Sequence, residues 1–306
     1  MDYIKVLQKA IEYIDERIDE NIVVNDVAKN IGYSPFHFLR IFKAVVGETP
    51  MEYVTKRKLQ FAVRDMSIGM NMNDVAFNYG YESYAGFAKA FKKVFGMSPT
   101  AYIIHCPNAE PPIINLEKLK SIKTGGLIYQ PKITRKEAFS IVGKAFNIPL
   151  RNVRNTKDAP TYWHKNGLTD GEIETTLYRT FSPSRHGEYC LNIENINDWS
   201  SFTYFFGILD ENLDAPLPNS FERICIPTSI YAVFSTPPVL PTDFVDSVNG
   251  TWQYILHYWF PNSQYIIDEK SYDFEFYDEK CHSWENEFVT MDIYIPIQLK
   301  NESAND

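Results

Sequence analysis

Apolar residues recur at helical spacing through the first hundred positions, and in short aromatic and β-branched runs through most of the remainder. Phe38, Ile41, Phe42 and Val45 mark one face of a helix, and Phe87, Ala90, Phe91 and Val94 mark a face of another. The opposite faces carry His37, Arg40 and Lys43 in the first and Lys89, Lys92 and Lys93 in the second. Such a helix docks its apolar stripe on a core and leaves its polar side to solvent or a partner. Between them, Met51–Met66 keeps Tyr53, Val54, Leu59, Ala62, Val63 and Met66 to one side. That pattern predicts a continuous helix of about sixteen residues, roughly 24 Å long at 1.5 Å per residue.

From residue 131 the texture changes. Phe139–Phe146, Tyr189–Ile193, Phe202–Leu209, Ser229–Ser235, Tyr272–Tyr277 and Thr290–Gln298 read as strands. Asp243–Phe260 interrupts them with Trp252, Leu256 and Trp259 at i, i+4 and i+7, one face of a helix. A second helix is expected near Thr161–Asp170 or a little beyond. Strands interspersed with two helices predict an α+β domain. Residues 106–130 combine proline and glycine punctuation with weak periodicity, which predicts a linker containing a short helix around Leu116–Ile122. The expected organisation is therefore multidomain: an all-α domain over residues 1–105, a linker over 106–130 and an α+β domain over 131–300.

The first domain contains an internal repeat. Val27-Ala28, preceding Ile31-Gly32-Tyr33, returns forty-eight positions later as Val75-Ala76 preceding Tyr79-Gly80-Tyr81. After one extra residue, Phe38, Arg40, Phe42-Lys43, Gly47, Pro50 and Tyr53 map to Phe87, Lys89, Phe91-Lys92, Gly96, Pro99 and Tyr102. Each copy reads as helix, tight turn, helix. Gly32 and Gly80 supply the left-handed turn, Ser34-Pro35 opens the following helix, and Asn71 caps the helix that holds Asp74. Two helix-turn-helix units on one chain, joined by a helical rod, can address successive major grooves about 34 Å apart. The bland alternative is a helical bundle with an accidental basic face.

The net charge of −9 seems to argue against nucleic acid, but it is unevenly distributed. Residues 23–105 hold ten Lys and Arg against six Asp and Glu, a local net of +4. A local basic patch is what steers a domain to phosphate. Cys106, Cys190, Cys225 and Cys281 form no C-x-x-C pair and have no histidine cluster beside them, so neither a metal site nor a disulfide framework is expected. No run of about eighteen apolar residues predicts a membrane span, and the N-terminus does not read as a secretory signal. The cytoplasm is the expected compartment, with no membrane partner and no cofactor.

Residues 5–103 resemble the DNA-binding domain of the AraC/XylS family of bacterial regulators. The resemblance is carried by Val27-Ala28-x-x-Ile31-Gly32-Tyr33-Ser34-Pro35-Phe36-His37-Phe38-x-Arg40-x-Phe42-Lys43 and by Val75-Ala76-x-x-Tyr79-Gly80-Tyr81-Glu82-Ser83-x-x-x-Phe87-x-Lys89-x-Phe91-Lys92-x-x-Phe95-Gly96-x-Ser98-Pro99. It implies binding to double-stranded promoter DNA, usually as an activator that contacts RNA polymerase. Carried over position by position, Phe36, Leu39 and Arg40 face the major groove. Arg40 suits a guanine edge and Phe36 a thymine methyl. His37 and Tyr84 belong to the same expected surface. Lys89 stands where arginine is common and lacks its planar fork. Lys43, Lys92 and Lys93 are expected on phosphates, which position without specifying.

Residues 137–299 resemble the GyrI-like effector-binding domain, found in multidrug-sensing regulators. Tyr204-x-x-Gly207-Ile208, Ile226-Pro227-x-x-x-x-Tyr231-Ala232-Val233-Phe234, Tyr258-Trp259-Phe260-Pro261-Asn262-Ser263-x-Tyr265, Phe274-Glu275-x-Tyr277 and Asp292-Ile293-x-Ile295-Pro296-Ile297 carry it, in that order. The resemblance implies two βαββ-type halves facing across a cleft, with Glu275 in the cleft. Strand alternation puts Tyr272, Phe274 and Phe276 on one face and Asp273, Glu275 and Tyr277 on the other. A carboxylate among aromatics suits a hydrophobic or lipophilic cationic small molecule, since burying it unpaired is costly. Trp259, Tyr204 and Trp163 are candidate walls of the pocket, although each tryptophan could equally fill the core.

The sequence thus points to a ligand-responsive transcription regulator and not to an enzyme. Two other functions stay open. Glu275 and Tyr277 could serve as base and acid of a small-molecule hydrolase. The second domain could instead dock a protein onto a constitutive DNA binder.

Overall fold

The structure, a computed structural model, describes residues 3–107, 109–112, 114, 116, 130–149, 171–195, 200–214, 216–217, 220–281 and 287–300. The chain divides into two compact units. One comprises Met1–Val94 with Asn108–Tyr129, the other Phe95–Pro107 with Gln130–Asp306.

The first unit is helical. Its elements are α1 (Tyr3–Asp15), α2 (Val24–Asn30), α3 (Pro35–Val46), α4 (Pro50–Ser67), α5 (Met72–Asn78) and α6 (Tyr84–Phe95), whose last residue enters the second unit. The repeat in sequence is a repeat in hydrogen bonds. Tyr33 N–H reaches back to Ala28 O and Tyr81 N–H to Ala76 O, both at 2.9 Å. Both bonds turn around a glycine of positive φ, Gly32 at 75° and Gly80 at 88°. The Ser34 side chain accepts from His37 N–H at 3.3 Å, and its counterpart Ser83 accepts from Gly86 N–H at 3.2 Å. The expected rod is α4, which opens on Pro50 and a capping box between Thr49 and Glu52. Its 18 residues span roughly 27 Å. Leu7, Ile11, Ile14, Val27, Phe38, Phe42, Tyr53 and Val54 are buried in the core. Arg57, 2% exposed, is held by Asp15 at 2.6 and 2.8 Å, by Gln60 at 2.8 Å and by Pro112 O at 3.1 Å. Of the expected linker, Ile114 O and Leu116 N–H are both bonded by the Gln8 side chain on α1. Residues 117–122 of the expected short helix lie outside the described residues.

The second unit contains α7 (Pro99–His105) and an α+β fold: β1 (Lys132–Lys136), β2 (Phe139–Pro149), α8 (Glu172–Phe181), β3 (Glu188–Glu194), β4 (Ser201–Leu209), β5 (Glu222–Ile226), β6 (Ser229–Ser235), α9 (Phe244–Tyr254), β7 (Tyr265–Ile267), β8 (Phe274–Tyr277) and β9 (Asp292–Leu299). The sheet runs β1-β6-β9-β8-β3-β4-β2-β5, with β7 added on β9. Its ladders are antiparallel. The order has internal symmetry: β2-α8-β3-β4 and β6-α9-β8-β9 are two βαββ halves that meet at β3 and β8. Each lends its preceding strand to the other, β1 pairing with β6 and β5 with β2. Aromatic side chains from both halves, among them Tyr189, Phe205, Tyr231 and Phe274, share one core. Val142 and Ile208 pack on the other face with Leu177 of α8.

The six expected strands are all present. β1, β5 and β7 were not legible, being short and, in β1, largely polar; β1 and β5 lie at the sheet edges. The second helix begins at Glu172, beyond the expected span, which lies outside the described residues. The helix predicted over Asp243–Phe260 is regular only to Tyr254 and then opens into a π-turn over Ile255–Trp259. Pro261 explains this: it lacks an N–H and crowds the carbonyl one turn back, so the preceding turn widens.

Candidate functional site

Among the described residues, each unit holds a place with the makings of a site. In the first, α3 and α6 turn equivalent faces outward. Phe36 is 78% exposed, and Leu39, Arg40 and Lys43 are exposed beside it. Lys89 and Lys93 are exposed on α6. Among the described residues Arg40, Lys89 and Lys93 have no hydrogen bond or ion pair, whereas Lys43 acts electrostatically on Glu52. Cations left unpaired on a face whose reverse is buried are available to an anionic partner.

Other expected members of this face are more constrained. The His37 ring is stacked on Tyr33, with centroids 5.1 Å apart and planes 7° apart. The Tyr84 hydroxyl is buried and its ring lies against Phe87 at 6.2 Å. Lys92 is half-buried. The structure adds one member that sequence reasoning missed. Ala85 is exposed on α6 at the position equivalent to Phe36, next to an exposed Gly86. The offset of forty-nine could have found it, but a methyl group carries no chemical signal of its own. The exposed face of α6 is therefore flatter than that of α3, with Lys89 at the position equivalent to Arg40.

In the second unit, Glu275 on β8 stands opposite Cys190 on β3. Its Oε1 accepts from the Trp252 indole N–H at 2.8 Å and its Oε2 from the Tyr277 hydroxyl at 2.9 Å. Two neutral donors thus hold it, while among the described residues it has no ion-pair partner. The buried Cys190 thiol, with Tyr204 beside it, completes the surroundings, and burial pushes it well above its ordinary pKa. Burial first, and then the neighbouring carboxylate, push the Tyr277 phenol well above its ordinary range, so it stays a neutral donor.

Tyr204 is therefore brought to this cluster. Trp259 instead packs edge-on against Phe234 at 5.0 Å and Phe260 at 4.9 Å, and stacks with Tyr265 at 6.1 Å. Those are core contacts, and the tryptophan that meets Glu275 is Trp252, about two helical turns earlier. The helical spacing had put both on one face without distinguishing them. Trp163 lies outside the described residues.

One further group offers ligand atoms within 4.8 Å of one another: Glu174, His186 and Glu188. Glu188 already accepts from the Tyr178 hydroxyl at 2.6 Å and lies 3.2 Å from His186 Nε2. Burial pushes its carboxyl above the ordinary range. These atoms serve the protein's own network, and a cation there would have to displace the Tyr178 bond.

Comparison with known proteins agrees with this division of labour. The family model described as a helix-turn-helix domain matches residues 27–103. The one described as integron-associated effector binding protein matches residues 132–297. The regulatory protein SoxS of Salmonella typhimurium is 33% identical over 103 residues, covering 33% of this chain and 96% of SoxS. The probable transcription factor PqrA of Proteus vulgaris is 34% identical over 100 residues, covering 32% of this chain and 82% of PqrA. Among solved structures, SAV2435 bound to tetraphenylphosphonium aligns with 57% of this chain and 98% of its own, at TM-score 0.44 and 15% identity. Among the described residues, no helix is long and apolar enough to cross a membrane. The chain is a transcription regulator that belongs, through residues 132–297, to the integron-associated effector binding protein family and carries ahead of that domain the helix-turn-helix domain of the AraC family.

Proposed function

We propose that the protein activates transcription from promoter sites read by α3 and α6, under the control of a lipophilic cation held at Glu275. The observation that carries the DNA reading is the pair of equivalent exposed cations, Arg40 and Lys89, on equivalent helices of a duplicated unit. Arg40 reads a guanine edge, Phe36 lies on a thymine methyl and Lys89 donates singly in the second groove. Lys43 and Lys93 hold phosphates, with Lys92 and His37 at the margin of the face. Activation implies a further contact with RNA polymerase.

The effector reading is supported by a carboxylate among Trp252, Tyr277, Tyr204 and Cys190 whose two hydrogen-bond donors are neutral. Among the described residues no ion pair competes with a cation for this carboxylate, and the aromatic faces add attraction. The same geometry favours binding over hydrolysis. Both Glu275 oxygens are engaged, and a general base must reach the proton it removes.

Duplexes selected from a random library by the full-length protein test the DNA reading. Arg40→Ala should lose about ten- to a hundredfold in affinity for the selected site, the worth of one bidentate base contact, and relax preference at a single base pair. Unchanged affinity would remove Arg40 from the interface. Calorimetry with tetraphenylphosphonium tests the effector reading, with Glu275→Gln as the control that should bind more weakly.

A further inference from the structure

Helix α7 closes the helix-turn-helix domain in sequence, the family match ending at residue 103, yet from Phe95 onward the chain belongs to the second unit. Within that unit α7 is held at both ends by carboxylates. Ser98 accepts from Ala101 N–H at 3.0 Å as N-cap and donates its hydroxyl to Glu194 Oε1 at 2.7 Å. At the other end His105 Nε2 lies 2.8 Å from Asp273 Oδ2. Ile267 N–H donates to Gly96 O at 2.8 Å just before the helix.

The buried His105 ring lies flat on the Trp252 indole, with centroids 3.7 Å apart and planes 13° apart. That indole has one N–H, and it donates to Glu275 Oε1 at 2.8 Å. Three groups therefore form a continuous path: the effector carboxylate, a buried indole and the last residue of α7. Helix α6 runs unbroken from Tyr84 to Phe95, so the second reading helix ends in the unit that houses Glu275.

We infer that Trp252 and His105 are positioning residues that couple the Glu275 site to α7, and through the chain to the second helix-turn-helix unit. The inference rests on the reading of Glu275 as the effector site. A cation that draws the carboxylate toward itself weakens or turns the bond from the indole. The indole is a rigid plane, 3% exposed, and cannot rotate without disturbing the ring stacked on it. The stack passes the displacement to the C-terminal turn of α7, where Cys106 N–H bonds Tyr102 O at 2.8 Å. Coupling of this kind needs a physically contiguous path whose members respond to one another, and a mutant cycle measures whether they do.

The experiment uses the full-length chain and hydrogen exchange of the amides of Tyr102–Cys106. Without any ligand, Glu275→Gln should change their exchange about fivefold, the lower end of ordinary coupling between sites. In a His105→Ala background the same substitution should change nothing, and His105→Phe, which keeps a ring on the indole, should restore the response. Equal responses in the wild-type and His105→Ala backgrounds, no response in either, or His105→Phe behaving like His105→Ala would each overturn the inference. Calorimetry with tetraphenylphosphonium on the unaltered protein reads the Glu275 assignment separately. Absent binding would remove that assignment while the ligand-free cycle still reported on the path. Binding that leaves Tyr102–Cys106 exchange unchanged would overturn the coupling and spare the site.

Discussion

Gly47 and Gly96 close the two reading helices at equivalent positions of the repeat, and the structure predicts unequal costs for replacing them. Both have positive φ, 93° and 79°. A β-carbon in that region costs about 1–2 kcal/mol, offset in part by about 0.4–1 kcal/mol from the stiffer unfolded chain. A β-carbon on Gly47 meets nothing within 4 Å, so Gly47→Ala should destabilise by about 1 kcal/mol. On Gly96 it would sit 2.4 Å from Cδ1 and 2.8 Å from Cε1 of Phe260. Carbon atoms approach comfortably to about 3.5 Å, so the overlap is about 1 Å. The Phe260 ring is fully buried and cannot swing aside, and Ile267 N–H holds the Gly96 carbonyl. Overpacking of this kind adds about 1–3 kcal/mol, which puts Gly96→Ala at about 2–4 kcal/mol. Urea unfolding of the full-length protein, followed by tryptophan fluorescence and by hydrogen exchange, measures both. A cycle with Phe260→Ala should show the Gly96 and Phe260 substitutions costing less together than the sum of their separate costs, by about the overlap energy. If Gly47→Ala and Gly96→Ala cost the same within about 0.5 kcal/mol and the cycle is additive, Phe260 does not confine Gly96 and the packing argument is wrong.

Four further outcomes are expected. Lys93→Ala should weaken DNA binding across sequences and reduce the slope of log affinity against log salt by about 0.9, as one phosphate contact requires; a sequence-selective loss would place Lys93 on a base instead. Trp252→Phe deprives the Glu275 carboxylate of one donor and should destabilise the second unit by about 1.5–3 kcal/mol, read from the urea midpoint; an unchanged midpoint would mean that the bond contributes nothing to stability. Glu194 is pushed above its ordinary pKa, chiefly by burial and against the opposing Ser98 bond, so the folded state binds its proton more readily than the unfolded state. The resulting destabilisation is present above the raised folded value and is relieved as pH falls toward the unfolded value of 4.5. Glu194→Gln should therefore stabilise the protein at neutral pH, with the gain shrinking on acidification; a gain that grows at low pH would reverse the sign. Arg57→Ala should destabilise the first unit by about 3–5 kcal/mol, because Asp15 would keep its charge and lose both bonds; an effect below 1 kcal/mol would show that solvent already screens the pair.

The helical unit was legible because its signals are local. Glycine at a turn, serine or asparagine at a cap and an apolar stripe at i, i+3 and i+4 each act within a few residues, and they occur twice in register. Six strands were legible for the same reason, since aromatic and β-branched runs favour extended backbone wherever they pair. The edge strands β1 and β5 were not, because each is fixed by the half of the domain it was lent to and not by its own residues. The π-turn at Ile255–Trp259 depends on how Pro261 fits a helix whose face is already committed to the core.

The sites divide along the same line. The sequence alone determined the duplicated reading heads and the exposure of Arg40 and Lys89, because amphipathic spacing settles which side of a helix faces out. It also put Glu275 on one face of an aromatic strand, and the resemblance to the GyrI-like domain singled it out there. Only the tertiary structure decided that Trp252 rather than Trp259 meets that carboxylate, and that His105 lies against the same indole. Those partners come from helices and strands more than a hundred residues apart in some cases, and a periodic pattern specifies a face without specifying what will be folded against it.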